Sequence, residues 1–360
     1  MTPSAPSAIV RTPRARILVR ATNWIGDAVM SMPAVQRLRE LERDAHITLL
    51  CPAKLHDLWR HNPFLNKVID IGQLRANEYD VAVIFPNSFR SAWECWRAGI
   101  PTRLGFAGHW RRKLLTHVVE ESHAEQPVSK KITLAGRKFK VKSFPSIRHQ
   151  THRYLDLVSF LGGKRELVQP KVWLAHGEMP SLTKFMREGT RPFFAINAGA
   201  EYGPAKRWLP ERFAEVAKRV SDEVDCRWLL LGGPGDVAIA GQIAAAIGND
   251  VVNVAGKTTL LELCELMKFC RLLLTNDTGP MHLASAVGTP LVAIFGSTSA
   301  ELTGPLGTHV SIINAAVECT PCFLRECPID FRCMNSITVD QVTAAVLKLW
   351  QETEPTHGHV

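Results

Sequence analysis

The stretch that decides the fold is LLLTNDTGPMHLASAVGTPLVAIFGSTS, residues 272–299. An apolar strand runs through a polar turn at Asp277 into a helix, and a second apolar strand follows that helix. Thr278 is a suitable helix N-cap, and Gly279 allows a ligand to approach the backbone closely. First-turn N–H groups have no partner within their own helix, so such a turn favours an anion, most often a phosphate. His282 lies one helical turn after Thr278 and is expected to face the same ligand. An ordinary capped turn remains the alternative for this stretch alone.

The rest of the chain repeats this alternation of strands and helices. In the first half, apolar strands are expected at 17–20, 47–50 and 79–85, with helical segments between them. A second set of strands and helices starts at 192–197. Strands that are separated by helices predict parallel, doubly wound sheets with helices on both faces. We therefore expect an α/β protein.

A chain of 360 residues suits two domains of similar size. The expected division is a disordered tail (1–16), an N-terminal domain (17–174), a linker (175–191), a C-terminal domain (192–337) and a C-terminal helix (338–353). The tail is rich in Pro, Ser, Ala and Arg and lacks the apolar run of a signal peptide. No stretch approaches the ~20 apolar residues of a membrane span. We therefore expect a cytoplasmic chain with reduced cysteines.

Positive charge is concentrated in one part of the chain. The net charge is +9, and the segment from Arg97 to Lys171 has 16 Lys and Arg against 5 Asp and Glu. Such a field favours an anionic partner, which could be nucleic acid, anionic lipid or a phosphorylated glycolipid. A solvated basic face without a partner is the alternative. Within this segment, residues 120–150 are basic and show little regular pattern.

The loop after the first strand places one carboxylate at the start of a helix. It contains Asn23, Gly26 and Asp27, and the helix dipole favours a carboxylate there. Loops at the carboxyl ends of parallel strands bind ligands in open α/β sheets. The residues alone leave Asp27 as either a simple helix cap or a functional carboxylate. The loop lacks the GxGxxG pattern, which opposes an NAD-dependent dehydrogenase.

Three loops of the second half combine glycine with polar or basic residues. The first lies between a strand ending at Asn197 and a helix that starts with Pro210. The Gly256-Lys257-Thr258 loop is not a P-loop, because the preceding glycine spacing is absent. The candidate binding residues in the three loops are Gly199, Glu201, Lys206, Arg207, Gly232, Gly233, Gly256 and Lys257. The neighbouring Lys206 and Arg207 have a solvated basic pair as their alternative interpretation.

Four cysteines lie within fifteen residues near the end of the second half. They are Cys319, Cys322, Cys327 and Cys333. This number suits a structural zinc ion or an iron–sulfur cluster. The spacing is looser than that of a paired CxxC ribbon, which favours packed reduced thiols or an occasional disulfide. His282 is not expected to bind a metal, because no carboxylate or second histidine accompanies it.

The 276–299 stretch, the Gly26-Asp27 pair and Lys206 before Trp208 together resemble the ADP-heptose:lipopolysaccharide heptosyltransferases of glycosyltransferase family nine. Within that family the chain is most similar to the heptosyltransferase II branch. The resemblance covers about residues 16–118 and 150–350. It implies a GT-B fold, in which two Rossmann-like doubly wound parallel-sheet domains face a cleft. It also implies inverting, metal-independent transfer of heptose from ADP-L-glycero-β-D-manno-heptose to the first heptose of heptosyl-Kdo-lipid A in the lipopolysaccharide inner core.

The resemblance implies roles for particular residues. Asp27 corresponds to the family's general base, and Lys206 to the lysine that contacts the diphosphate, with Trp208 as a packing residue. Donor binding falls to the loops around them, which comprise Asn23, Gly26, Gly199, Glu201, Arg207, Gly232, Gly233, Gly256, Lys257, Asp277, Thr278, Gly279 and His282. The acceptor side includes Arg103, Arg111, Arg112 and Lys113. The family's acidic ribose contact has no clear match, because Gly235 stands near its place.

The resemblance further implies a monomer that requires no cofactor and takes ADP-heptose as donor substrate. Its acceptor would be an anionic lipid A–Kdo–heptose, reached by peripheral contact with the cytoplasmic face of the inner membrane, and nucleic acid would not be a partner. Two alternatives remain. One is heptosyltransferase I or a relative that acts on another glycan. The other is a non-catalytic module that binds nucleic acid or anionic membrane, which would have no need of a carboxylate together with a diphosphate-binding lysine.

Overall fold

The computed structural model describes residues 14–108, 110–120, 128–134, 137–144, 147–175 and 191–353. The chain forms two compact units, Met1–Gln126 with Ser146–Trp173, and Pro127–Pro145 with Leu174–Val360. Most of the expected tail and linker therefore lies outside the described residues. Within the part of the chain that is described, no helix has the length and apolar character needed to cross a bilayer.

The first unit is built on a sheet of six parallel strands in the order β3-β2-β1-β4-β5-β6. The strands are β1 (Arg16–Arg20), β2 (His46–Cys51), β3 (Lys67–Asp70), β4 (Val81–Ile84), β5 (Thr102–Phe106) and β6 (His117–Val119). The helices are α1 (Ile25–Leu41), α2 (His56–Trp59), α3 (Phe89–Arg97) and α4 (Thr151–Phe160). The strand order reverses between β1 and β4, and such a switch point is where open sheets bind ligands.

The second unit repeats this topology with a sheet in the order β11-β10-β9-β12-β13-β14. Its strands are β9 (Phe193–Asn197), β10 (Arg227–Leu231), β11 (Val251–Asn253), β12 (Leu272–Asn276), β13 (Leu291–Phe295) and β14 (Val310–Asn314). Its helices are α5 (Pro210–Glu223), α6 (Val237–Ile247), α7 (Leu260–Phe269), α8 (Gly279–Val287), α9 (Ala300–Thr303), α10 (Arg332–Ser336) and α11 (Val339–Thr353). All neighbouring strands in this sheet are parallel, and the order reverses between β9 and β12. The expected α/β class with two doubly wound parallel sheets is confirmed.

The central strands are apolar because helices cover both of their faces. All five residues of β9, β12 and β13 are buried, as expected for strands inside a doubly wound sheet. Helix α11 completes the second core by burying Val342, Val346 and Leu349. Its first turn is held by a reciprocal pair, since Thr338 N–H donates to the Gln341 side chain at 3.0 Å and the Thr338 hydroxyl accepts from Gln341 N–H at 3.3 Å. Thr338 therefore caps the expected C-terminal helix.

Residues 120–150 are more regular than the sequence suggested. They contain an antiparallel hairpin of β7 (Val128–Leu134) and β8 (Arg137–Ser143). This hairpin groups with the second unit, whereas the sequence analysis placed the whole segment in the N-terminal domain. The Phe144 ring packs edge-on against Phe323 with ring centroids 5.1 Å apart, which ties the end of the hairpin to that unit. β8 alternates basic and apolar residues, but its high positive charge made the segment resemble a solvated loop rather than a strand.

Candidate active site

The first ligand loop follows β1 at the switch point and is anchored by a buried ion pair. Arg20, which ends β1, is only 2% exposed and bonds Glu94 at 2.9 Å. The same guanidinium donates to the Asn23 side chain at 3.2 Å. Because both charges are buried and paired, Arg20 fixes the path of the loop that leads into α1. The helix begins at Ile25, which places Gly26 and Asp27 in its first turn.

Gln150 and Tyr154, at the start of α4, donate hydrogen bonds to the Asp27 carboxylate. The Gln150 amide donates to Oδ1 of Asp27, and the Tyr154 hydroxyl donates to the same oxygen at 3.4 Å. The Gln150 amide also donates to the Tyr154 hydroxyl at 3.1 Å. Burial, together with the nearby Asp27 charge, raises the pKa of Tyr154 well above its ordinary value, so the phenol stays protonated as a donor. These hydrogen bonds therefore orient the Asp27 carboxylate.

Asp27 lines a cleft of about 250 Å³ at the carboxyl end of the first sheet. The cleft is bounded by the β1 and β4 loops and by α4. Its wall includes Thr22 Oγ1 and Asn87 Oδ1, two buried polar atoms that have no hydrogen-bond partner among the described residues. Such atoms are costly unless they are paired, so they suit a ligand that carries hydroxyl groups. An oriented carboxylate beside unpaired polar atoms can accept a proton from a bound alcohol.

The four basic residues expected on the acceptor side divide into two structural classes. Arg111 is fully buried and donates to the Pro86 and Ser88 carbonyls, so its guanidinium is not presented to solvent. Burial lowers the pKa of Arg111 to about 10. Arg103 donates to the Ile100 and Leu114 carbonyls, and burial also lowers its pKa.

Arg112 and Lys113 are exposed, as the basic-surface hypothesis requires. Arg112 pairs with Glu120 at 2.7 Å, with both side chains largely in solvent. A surface pair of this kind contributes little to stability. These two residues, unlike Arg103 and Arg111, are therefore available to an anionic partner.

The second ligand loop lies at the switch point between β9 and β12. The Asn276 amide at the end of β12 donates to the Ala198 carbonyl at 2.8 Å, and its oxygen accepts from Trp208 N–H at 3.0 Å. Trp208 is fully buried against Phe213 with ring centroids 5.1 Å apart. Its expected packing role is confirmed, and Asn276 joins the loop to the sheet.

Lys206 and Asp277 form an ion pair at the head of this loop. The Lys206 ammonium donates to Oδ2 of Asp277 at 2.5 Å, and the Thr298 hydroxyl donates to the same oxygen at 2.5 Å. The Asp277 side chain is 5% exposed and that of Lys206 is 14% exposed. Lys206 also lies over the Tyr202 ring, 4.9 Å from its centroid. Asp277 therefore positions Lys206 rather than presenting a free carboxylate.

Helix α8 begins beside this pair. Thr278 occupies the N-cap position with extended backbone, but its side chain makes no capping hydrogen bond, so that part of the prediction was wrong. First-turn N–H groups consequently lack a side-chain acceptor from the cap residue and remain suited to an anion. Gly279 is the first helical residue, and His282 is buried within the first two turns. The turn provides donors next to the Lys206 ammonium.

The remaining nucleotide-side residues cluster around Asp236, which the sequence analysis did not select. Its carboxylate accepts from Gly233 N–H at 3.0 Å and lies 4.0 Å from the Arg207 guanidinium. A side chain at Gly199 would collide with this carboxylate, so glycine is required there. Asp236 thus brings the Gly199 loop to the loop that carries Gly233 and its neighbour Gly232.

Gly256 and Lys257 of the third loop are exposed. Gly256 has a φ of +73° and its N–H bonds the Gly232 carbonyl at 2.9 Å, which explains the glycine at this turn. Lys257 folds back onto its own loop, donating to the Asn253 carbonyl at 2.9 Å. Glu201 is exposed beside the Lys206 turn. All three loops lie at the carboxyl ends of strands of the second sheet.

The four clustered cysteines line one small, mostly apolar cavity in the second unit, together with Phe139 of β8. None of the nine cysteines, all of which lie in the described ranges, forms a disulfide bond. Burial raises the pKa of Cys319, Cys322 and Cys333, the last to about 11. Among the residues with described positions, no group of three or more His, Cys, Asp or Glu is arranged to hold a metal ion.

The cysteine loop also supports the Lys206 turn. The Arg325 carbonyl accepts from Ala205 N–H at 3.0 Å, and the Phe323 carbonyl accepts from the Tyr202 hydroxyl at 3.1 Å. The loop therefore packs against the same turn that carries the candidate diphosphate lysine.

Sequence reasoning missed the side chains that orient the charged residues. Gln150 and Tyr154 lie 123 and 127 residues from Asp27, and Thr298 lies 21 residues from Asp277. Gln150 and Tyr154 belong to no motif, and although Thr298 lies within the 276–299 stretch, no local pattern indicates that it contacts Asp277. Asn197 is a further case, because its amide is 1% exposed at the end of β9 and neither of its polar atoms has a hydrogen-bond partner within the described ranges.

Comparisons with known proteins agree with this geometry. The profile of glycosyltransferase family 9 (heptosyltransferase) matches residues 71–331. The chain is 32% identical over 327 residues to lipopolysaccharide heptosyltransferase 2 of Escherichia coli strain K12, covering 83% of this chain and 88% of that protein.

Solved structures give the same result. That of E. coli ADP-heptose lps heptosyltransferase II matches with a TM-score of 0.78 at 29% identity, covering 94% of this chain and 100% of the other. E. coli heptosyltransferase WaaC with ADP matches with a TM-score of 0.68 at 14% identity, covering 93% and 99%, and this likeness concerns the fold. The expected GT-B class is confirmed by these neighbours. A family profile that spans most of the chain, joined to a relative at this identity, establishes that the protein is an enzyme of glycosyltransferase family 9, the heptosyltransferase family.

Proposed function

We propose that this enzyme transfers L-glycero-D-manno-heptose from ADP-heptose to the first heptose of heptosyl-Kdo-lipid A, in the inner core of lipopolysaccharide. The observation that carries the proposal is the Asp27 carboxylate, oriented by Gln150 and Tyr154 in a cleft lined with unpaired polar atoms. The similarity to lipopolysaccharide heptosyltransferase 2 supports the sugar and the acceptor class. Heptosyl transfer requires a base of this kind.

The proposed reaction is a single displacement with inversion. An acceptor hydroxyl attacks the anomeric carbon of the donor from the face opposite ADP, and Asp27 takes the hydroxyl proton as the new C–O bond forms. The anomeric C–O bond to the diphosphate breaks at the same time, and ADP leaves with the bonding electron pair. Its low basicity removes the need for a general acid on the leaving side.

Residues of the second unit are proposed to stabilise the negative charge that develops on the departing ADP. Lys206 and the first-turn N–H groups of α8 supply positive charge and donors for the diphosphate. The loops around Gly199, Gly233 and Gly256 are assigned to the nucleoside. With Lys206 in this role, we propose that the catalytic step needs no metal ion, so turnover should be unchanged after treatment with a chelator.

The proposal is tested by turnover of ADP-heptose with two truncated acceptors, one with and one without the first heptose. We expect transfer only to the acceptor that carries this heptose, with an α-linked product. Transfer to the acceptor that lacks it would instead assign the activity of heptosyltransferase I. No transfer to either acceptor, from a folded chain that binds ADP, would contradict the proposal.

We further propose that the enzyme acts as a monomer on the cytoplasmic side of the inner membrane and makes peripheral contact with it. The acceptor is an anionic glycolipid, and the exposed Arg112 and Lys113 support attraction to such a surface. Fractionation of cells that express the chain, at low and high salt, tests this placement. Recovery with membranes only at low salt is the expected result.

A further inference from the structure

The hairpin β7–β8 carries a dense positive charge that the catalytic proposal does not use. Residues 128–143 include six Lys or Arg and no Asp or Glu. Lys131, Lys138 and Lys140 are exposed. None of these three lysines takes part in any ion pair between described residues. Within the described part of the chain, no ion pair therefore compensates the positive charge of these three lysines.

The pairing register of β7 and β8 places these three lysines on the same face of the hairpin. Lys131 is directly opposite Lys140, and Thr133 is directly opposite Lys138. Residues directly opposite in an antiparallel ladder share a face, as do residues two apart along a strand. The three lysines, which we call the lysine face, are therefore side by side, with roughly 7 Å between Lys138 and Lys140 along the strand.

The opposite face is used for packing. Val141 is buried, and Phe139 lines the cavity of the four cysteines. The hairpin is thus anchored to the second unit through its apolar side, while the lysine face is directed to solvent. This separation also explains the alternation of lysine with apolar residues in β8.

The lysine pair opposes the stability of the hairpin. Like charges directly opposite each other destabilise a ladder, and an isolated two-stranded hairpin is marginal in water. Repulsion between Lys131 and Lys140 therefore lowers the stability of the hairpin, and a neutral residue at either position would remove that repulsion. An anionic partner offsets this cost when it binds.

We propose that the lysine face binds the anionic surface of a phospholipid bilayer and holds the enzyme at the membrane that contains its acceptor. This inference rests on the proposed function, since an enzyme acting on a lipid-linked glycan must meet a bilayer. Lysines on an extended strand face suit many separate headgroups, whereas one bound phosphate would need a concave site. Nucleic acid fits less well, because the only described aromatic residue of the hairpin, Phe139, lies on the packed side and no ring is offered for base stacking.

The test compares the whole chain with the variant Lys131→Gln/Lys138→Gln/Lys140→Gln. The matched control is Lys218→Gln/Lys268→Gln/Lys348→Gln, which removes the same charge from exposed lysines elsewhere in the second unit. Sedimentation is measured with vesicles of phosphatidylcholine alone and with an equal mixture of phosphatidylcholine and phosphatidylglycerol. We expect wild type to bind the anionic vesicles only.

The hairpin variant should bind the anionic vesicles about 100-fold more weakly, because each lysine near an anionic surface contributes roughly five-fold. The control variant should resemble wild type. The melting temperature of the hairpin variant should not fall, since like-charge repulsion is removed, and this separates lost docking from lost folding.

Three outcomes would overturn the inference. They are a wild-type chain that ignores anionic vesicles, a hairpin variant that binds them as well as wild type, and an equal loss in the control variant. Turnover on a soluble, delipidated acceptor separates the sources of phosphate. We expect it to be unchanged in the hairpin variant, and a raised acceptor KM would place the acceptor's own phosphates on this face instead. Absence of turnover in wild type would refute the proposed function without affecting the vesicle result.

Discussion

The two ligand loops of this enzyme follow the central strands β1 and β9, which have the same position in sheets of the same order. They nevertheless hold their charged residues differently. Asp27 accepts hydrogen bonds from the neutral side chains of Gln150 and Tyr154, whereas Lys206 is paired with the buried carboxylate of Asp277. Neutral donors orient a base without removing its charge. An ion pair fixes a cation before any ligand binds.

This difference predicts which substitutions affect chemistry and which affect binding or folding. Changes around Asp27 should alter turnover with little effect on ADP. Changes around Lys206 should alter ADP affinity and stability together, because the lysine serves both the ligand and the fold.

The largest effect is expected for Asp27→Asn, which preserves shape but removes the base. Turnover should fall about 10²- to 10⁴-fold, the usual range for loss of a general base. ADP affinity measured by calorimetry should stay close to wild type, since the diphosphate residues are assigned to the second unit. Turnover within a few-fold of wild type would show that Asp27 only caps α1.

Lys206→Met should weaken ADP binding about 10- to 100-fold, because a charge-assisted hydrogen bond contributes about 1.5–3 kcal/mol. It should also destabilise the second unit, since Asp277 is left buried without its cation. Calorimetry with ADP and urea unfolding measure the two effects separately.

The double variant Lys206→Met/Asp277→Asn separates these two roles. Removing both charges should restore much of the stability, while ADP affinity stays low. If the double variant also recovers ADP affinity, Lys206 acts on the fold alone and the diphosphate is bound by other groups.

Gln150→Leu should lower kcat about ten-fold, since the Asp27 carboxylate loses one charged hydrogen bond. Tyr154→Phe is the matched comparison and should cost less, because its bond to Asp27 is longer at 3.4 Å. ADP affinity should be unchanged in both variants. A loss of kcat that is equalled by a loss of folded protein in circular dichroism would make Gln150 a structural residue instead.

The smallest effect is expected for Arg112→Gln/Lys113→Gln. The acceptor KM should rise a few-fold at low salt and return towards wild type at high salt, because exposed charges are screened over about 8–10 Å at physiological ionic strength. Arg111 is kept intact, since its buried guanidinium supports the Pro86 and Ser88 loop and Arg111→Gln should unfold the first unit. If the double variant and wild type have equal acceptor kinetics at low salt, Arg112 and Lys113 do not contribute to acceptor binding.

Local pattern was sufficient for much of this molecule. The 272–299 stretch, with its apolar strands around a glycine and proline turn, predicted β12, α8 and β13 because strand and helix periodicities are properties of neighbouring residues. The same holds for the doubly wound class and for the position of Asp27 near the start of a helix, although that helix begins at Ile25. Charge hid the hairpin β7–β8, since alternating lysines resemble a solvated segment when their partner strand is unknown.

The sequence by itself determined the fold class, the family resemblance and the loops in which Asp27 and Lys206 lie. Tertiary structure alone decided how those residues are held, because Gln150, Tyr154 and Thr298 reach them only after distant segments meet. It also decided which arginines of the basic segment are exposed. Arg111 and Arg112 are adjacent in the chain, yet one is buried among carbonyls and the other is in solvent. Adjacent side chains can point to opposite sides of a loop, so burial depends on what the rest of the chain places against each of them.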